Sequence, residues 1–256
     1  MTLRSLRQIL NLEALFVTAL AVAATHLCLR FEVEAELPLT LIATAVIFPI
    51  VFSIGGAYKR RESALDAYGS MKAHSRVLYF AARDWIEEPD PLLLKQVRER
   101  LLGLFVVVRE LFQSPRDEME EREARVYAAF AQLSVTVRSY RGAGLATGEV
   151  SRCNQYLSKV LVAFETMKHI YQYRTPRTLR AYSKLFIFLL PVVYGPYFAA
   201  VARQYTHGLE YLMPILFTAI LVSLDNIQDH LENPFDQVGA DDIAINAEKF
   251  VERLDS

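Results

Sequence analysis

Several things are scarce in this sequence, and each scarcity excludes a class of protein. Only two cysteines occur, Cys28 in an apolar stretch and Cys153 in a polar one, so no disulfide framework organises the chain and both read as idle thiols. Charge imbalance is missing as well. With 28 Lys and Arg against 29 Asp and Glu, the net charge of -1 removes the broad electrostatic footprint of a nucleic-acid binder. Catalytic signatures are missing too: no HExxH, CxxC, GxSxG or Walker sequence is present, and His26, His74, His169, His207 and His230 are scattered. The expectation is therefore not an enzyme.

Charge itself disappears from Leu37 to Tyr58, twenty-two consecutive residues followed at once by Lys59, Arg60 and Arg61. At ~1.5 Å per residue, about 20 helical residues cross a hydrocarbon core of ~30 Å. Thr40, Thr44, Pro49, Ser53, Gly55 and Gly56 interrupt the run, so one side of this helix is expected to face protein or water. Gly55-Gly56 lies inside the apolar run and is no phosphate loop. At 53% hydrophobic and 22% charged residues, the chain combines a membrane part with a polar helical part.

Ile9 to Leu29 is the first candidate span, flanked by Arg7 and Arg30. A signal peptide is the competing reading. Glu13 near the start of the run, and Arg30, Glu32, Glu34 and Glu36 where a small-residue cleavage site belongs, argue against it. The link from Phe31 to Glu36 is short, so the first two spans form a hairpin. Arg4 and Arg7 share one side with Lys59, Arg60 and Arg61, which places both ends of the hairpin in the cytoplasm. His26 then sits near the outer end, as a proton relay or simply as an interfacial residue.

From Glu62 to about Arg180 the pattern is amphipathic and helical. Pro89 and Pro91 end one helix. Ser114-Pro115-Arg116-Asp117 predicts an N-cap, a first-turn proline and a new helix carrying Glu118 to Tyr140. Gly142, Gly144 and Gly148 form a loop, and a fourth segment runs from Glu149 to Tyr173. Asp117, Glu118, Glu120, Glu121 and Glu123 read as a metal cluster or as acids at the start of an exposed helix, where the dipole favours them.

Leu185 to Ala202 is a third span, containing Pro191, Gly195 and Pro196. Tyr211 to Leu224 turns back, but offers only fourteen uncharged residues before Asp225. Either Asp225 and Asp229 face a wet cavity, or the helix leaves the membrane early. Asp225 and Asp229 share a helix face, with His230 next to them, as a metal site or a solvated helix end. The fold class expected is an all-α membrane protein with four transmembrane helices and a cytoplasmic helical bundle. Its segments are a hairpin over 1–58, a cytoplasmic helical region over 59–182, a second hairpin over 183–228 and a cytoplasmic tail over 229–256.

The stretch from Tyr211, YLMPILFTAILVSLDNIQDHLENPFDQVGADDIAIN, resembles the last membrane helix and following turn of the bestrophin family, with Glu232-Asn233-Pro234-Phe235 as the matching motif. Leu185 to Pro191 is similar to that family's third span, and Pro49 to Gly56 to its pore-lining second span. The order of these pieces covers nearly the whole chain, and the tail is closer to the bacterial and organellar members.

The resemblance implies a homopentameric channel with a central pore lined by the second helix. It places the family's hydrophobic neck at Phe48, Phe52 and Gly56, where glycine replaces a bulky side chain and widens the cytoplasmic end. Positions i, i+4 and i+8 stack on one helix face independently of any resemblance. Rings of Phe48 and Phe52 can gate by dewetting, and aromatic edges tolerate a passing anion. The family's calcium ligands map onto Asn233 and Asp241, but Gln237, Val238 and Gly239 replace the central acids. A hard cation needs about six to eight oxygens, so calcium gating is not expected and no cofactor is implied. The family's Arg-Trp-Trp segment after helix two is also absent. Arg60 and Arg61 stand there as orientation anchors, or as vestibule charges that attract anions.

The function implied is passive conduction of monovalent anions such as chloride. The alternatives are a cation-conducting or weakly selective homologue, or a non-conducting membrane scaffold. Expected partners are lipid, further copies of the chain and the permeating ion, with no nucleic acid. The expected location is a bacterial plasma membrane.

Overall fold

A computed structural model describes residues 11–36, 38–173, 176–204, 209–237 and 242–255. Its helices are α1 (Leu12–Arg30), α2 (Leu39–Asp84), α3 (Pro91–Gln113), α4 (Met119–Ser139), α5 (Thr147–Gln172), α6 (Arg177–Val193), α7 (Gly195–Ala202), α8 (Leu212–Glu232) and α9 (Ala247–Glu252). Among the described residues there is no strand. Three helices are long and apolar enough to cross a membrane, and a fourth span exists if α6 and α7, bent by 43° at their junction, count as one. Pro191, Gly195 and Pro196 sit around that bend, where prolines withhold helix donors. The chain is an all-helical integral membrane protein that divides into two compact units, residues 1–59 with 174–232, and residues 60–173 with 233–256.

In the first unit α1 starts cleanly because the Asn11 side chain accepts from the Ala14 amide at 2.9 Å. Glu13 and Arg30 complement the two ends of the dipole. The core gathers Val17, Val46, Ile50, Ile187, Leu190, Tyr194, Phe198, Leu221 and Val222. Polar pairs tie α1 to α8: Asn11 donates to Asn226 at 2.9 Å and the Thr18 and Thr218 hydroxyls meet at 3.0 Å. His26 Nδ1 lies 2.7 Å from the Tyr211 hydroxyl, which ties this exposed imidazole of α1 to the residue just before α8. Gly195 is needed for close approach, since a Cβ there would meet the Ala24 carbonyl carbon and Cys28 Sγ, each at 3.3 Å.

In the second unit Asp90 caps α3 by accepting from Leu92 at 2.9 Å, and Pro91 takes the first helical position. Leu93, Val97, Leu101, Leu104, Phe105, Val108, Leu111 and Phe112 recur at helical spacing, and all are buried. They pack with Val126, Phe130, Leu133 and Val137 of α4, and with Cys153, Val160, Phe164 and Met167 of α5. The Tyr140 hydroxyl reaches the Leu78 carbonyl at 3.0 Å.

Ser114 does not open the next helix. Its hydroxyl donates back to the Glu110 carbonyl and it closes α3 as the C-cap. A short 3₁₀ turn, Arg116–Glu118, intervenes before α4 begins at Met119. A serine hydroxyl can serve either neighbouring turn, and here the preceding carbonyl wins.

Candidate functional site

The candidate residues of α2 stand on a helix with two unlike faces. Val46, Ile50, Ser53 and Ala57 are buried in the core of the first unit. Phe48 and Phe52 stand away from that core, 60% and 65% exposed, although a large aromatic side chain is the most favourable group to bury. Their rings touch edge to face, with centroids 4.7 Å apart and planes at 77°. Gly56, half-buried, follows at the same four-residue interval. The two phenylalanines thus form one continuous apolar ridge along the helix.

Pro49 lies inside this helix and supplies no amide hydrogen for the carbonyl of Ala45. The Tyr182 hydroxyl of α6 donates to that carbonyl at 3.4 Å instead. The proline therefore sits between the two phenylalanines of the ridge without leaving the freed carbonyl empty. Further along α2, Arg61 pairs with its neighbour Glu62 at 2.6 Å. Arg60 is half-buried, which sets it apart from an ordinary solvated anchor.

The four residues of the C-terminal motif serve different structures. Glu232 is 4% exposed and is ion-paired with Arg180 within the first unit. In the second unit Asn233 makes a turn, its Oδ1 accepting from the Phe235 amide at 3.4 Å and its Nδ2 donating to Asp236 at 3.1 Å. The Pro234 carbonyl accepts from Ile243 at 2.7 Å. Phe235 is 1% exposed and stacks on Phe112, centroids 4.5 Å apart at 14°.

Asn233 and Asp241 were the candidate cation ligands; Asp241 lies outside the described residues. The amide nitrogen of Gln237 bridges the carbonyls of Phe235 and Ile243, at 3.4 and 3.1 Å. Asn233 Oδ1 is thus turned to an amide hydrogen, and these two carbonyls accept from Gln237. Among the described residues, no group of three or more His, Cys, Asp or Glu is arranged to hold a metal.

Sequence reasoning noticed Asp225 and passed over Gln228. Asp225 is 1% exposed and Gln228 fully buried, and Asp225 Oδ1 and both amide atoms of Gln228 lack a hydrogen-bond partner among the described residues. Asp229, four residues on from Asp225, pairs with Lys184 at 3.6 Å. Of the two open readings of this helix end, a simply solvated one does not hold for Asp225. The signal in the sequence was the polar run Asp225, Asn226, Gln228 and Asp229 directly continuing an apolar helix.

No family model matches the chain, and no curated protein matches it. Solved structures do. A variant of a bacterial Bestrophin homolog from Klebsiella pneumoniae aligns at a TM-score of 0.75 and 17% identity, over 94% of this chain and 95% of that one. A second variant of that homolog aligns at 0.71 and 18%, over 94% and 97%. A further crystal structure, of a membrane protein, gives 0.73 and 15%, over 95% and 98%. The fold of this chain is therefore that of the bacterial bestrophin homolog along nearly its whole length.

Proposed function

We propose that this chain is a bestrophin-like ion channel that conducts monovalent anions such as chloride, passively, through a homopentameric pore. The observation that carries the reading is the ridge of Phe48 and Phe52, exposed on the side of α2 opposite the buried stripe of Val46, Ile50, Ser53 and Ala57. A helix facing only lipid has no need of aromatic residues at one fixed register with glycine and serine nearby. Copies of the ridge arranged around an axis form two apolar rings, narrow enough to shed water when closed. The positive edges of the rings face a passing anion.

Gly56 widens the pathway below the rings, and Arg60 and Arg61 raise the local anion concentration at the cytoplasmic mouth. The four segments over 1–58, 59–182, 183–228 and 229–256 are then membrane hairpin, cytoplasmic helices, membrane hairpin and tail. In the motif, Phe235 anchors the tail and Asn233 shapes its turn. The protein works in a bacterial plasma membrane with both termini cytoplasmic, and neither calcium nor another cofactor takes part.

Thiol access tests the ridge directly. In a Cys28→Ala background, Phe52→Cys is treated with a charged methanethiosulfonate reagent during recording. Progressive block of current, absent in the background protein, is the expected result; full modification without any change in current places Phe52 outside the pathway.

A further inference from the structure

In the first unit three acids, Asp225, Asp229 and Glu232, stand on successive turns of one face of α8, and α6 brings two cations to them, Arg180 and Lys184. The contacts run in opposite directions along the two helices and so form rungs: Arg180 with Glu232, then Lys184 with Asp229. Asp225 occupies the next turn, and the residues of α6 one turn beyond Lys184, Ile187 and Phe188, carry no charge. The charges that reach Asp225 are those of Asp229, Lys184, Glu13 of α1 and Arg180. Acids therefore outnumber cations around it.

The two rungs are unlike. Glu232 is buried and Arg180 engages it closely. Lys184 lies 3.6 Å from Asp229, beyond hydrogen-bond length, and the two side chains are 41% and 38% exposed. An ion pair so long and so open to solvent holds its lysine weakly. One turn further in, Asp225 Oδ1 and Gln228 Oε1 are buried acceptors with no donor among the described residues. Burial of such groups without a partner is costly, most of all for a carboxylate. An ammonium group carries three N–H donors on a flexible four-carbon stem, which suits it to reach and serve both acceptors. With Arg180 committed to Glu232, Lys184 is the cation placed to do so.

We propose that Lys184 has two positions: on Asp229, and turned inward with its ammonium donating to Asp225 Oδ1 and Gln228 Oε1. Side chains four residues apart on a helix are about 5–6 Å apart at Cβ, so rotation of the lysine stem spans the step without any sliding of α8. That helix stays fixed on α1 through the Asn11–Asn226 and Thr18–Thr218 contacts. The exchange carries one positive charge from a half-exposed place into the core of the membrane unit and leaves Asp229 to solvent. It makes the charge at this end of α8 switchable. The exchange belongs to the first unit itself and does not depend on ion conduction, so it stands or falls separately from the channel reading.

Acetylation of the purified full-length protein by a water-soluble N-hydroxysuccinimide ester, followed residue by residue with mass spectrometry, tests the exchange by its sign. If Asp229 is the only partner, Asp229→Asn frees the amine and Lys184 labels faster. The exchange predicts the opposite: Lys184 turns inward and its labelling falls about threefold or more. Asp225→Asn removes the inner position and should raise the labelling of Lys184, and the double variant should label fastest of all. Lys95 and Lys159, in the second unit, serve as internal controls that should label alike in all four proteins. Either single variant decides the question alone. Labelling of Lys184 that rises or stays level in Asp229→Asn, or that does not respond to Asp225→Asn, overturns the proposal and leaves the buried acceptors to water.

Discussion

The Tyr182 hydroxyl donates to the Ala45 carbonyl at 3.4 Å, and Ala45 is the residue four before Pro49. The tyrosine thus replaces the helix donor that proline lacks. Tyr182→Phe is expected to lower stability by about 0.5–1 kcal/mol, at the weak end for a neutral hydrogen bond given its length. In a Pro49→Ala background the helix recovers its own donor, and the same substitution should then have almost no effect. Thermal midpoints of the four proteins of this cycle check the coupling; additive losses would contradict it.

Phe235 joins the tail to the core of the second unit through its stack on Phe112. Truncating a fully buried phenylalanine typically costs about 3–5 kcal/mol. Phe235→Ala should therefore unfold or loosen residues 242–255, read as faster amide hydrogen exchange there, while Phe235→Leu should cause a clearly smaller change.

Cys153 is fully buried, and that burial, reinforced by the charge of Glu149, pushes its thiol up to about 11. At pH 8 roughly one thiol in a thousand is then ionised, and the thiolate is the reactive form. In a Cys28→Ala background iodoacetamide should leave the native protein unlabelled over hours and label it at once after denaturation. Rapid labelling of the native state would contradict the packing around α5.

The Arg109 guanidinium holds the Glu248 carboxyl down at about 2 through its side-chain hydrogen bonds. A depressed carboxylate contributes stability that is present above its unfolded value and lost as the pH falls through the folded one. Wild type should therefore melt above Glu248→Gln at neutral pH, and the gap should close between about pH 4.5 and about pH 2. Glu248 is exposed, so the gap should be small and should shrink with salt. Midpoints of both proteins across that range check the sign.

How far the sequence could be read varies with the kind of signal. The amphipathic, helical character of the polar region was plain because periodicity is local, but Pro91, read only as ending a helix, in fact opens α3 with Asp90 as its cap. The extent of α2 was not plain. Charge marks where a hydrocarbon layer ends, but nothing in the residues after Tyr58 breaks a helix, and α2 continues to Asp84. Ser114 was ambiguous because a hydroxyl serves either adjoining turn. The ridge of Phe48 and Phe52 was legible as a register, while its exposure depended on which face the first unit buries.

The central claim is an anion pore whose neck lies on α2, and the measurement that tests it most directly is current across a planar bilayer under a KCl gradient. Purified wild type is compared with Phe52→Ala. The account predicts a reversal potential near the chloride value, and a conductance or open probability raised by removing the ring. A reversal potential near the potassium value would contradict anion selectivity, and silence from intact oligomers of both proteins would contradict the channel itself.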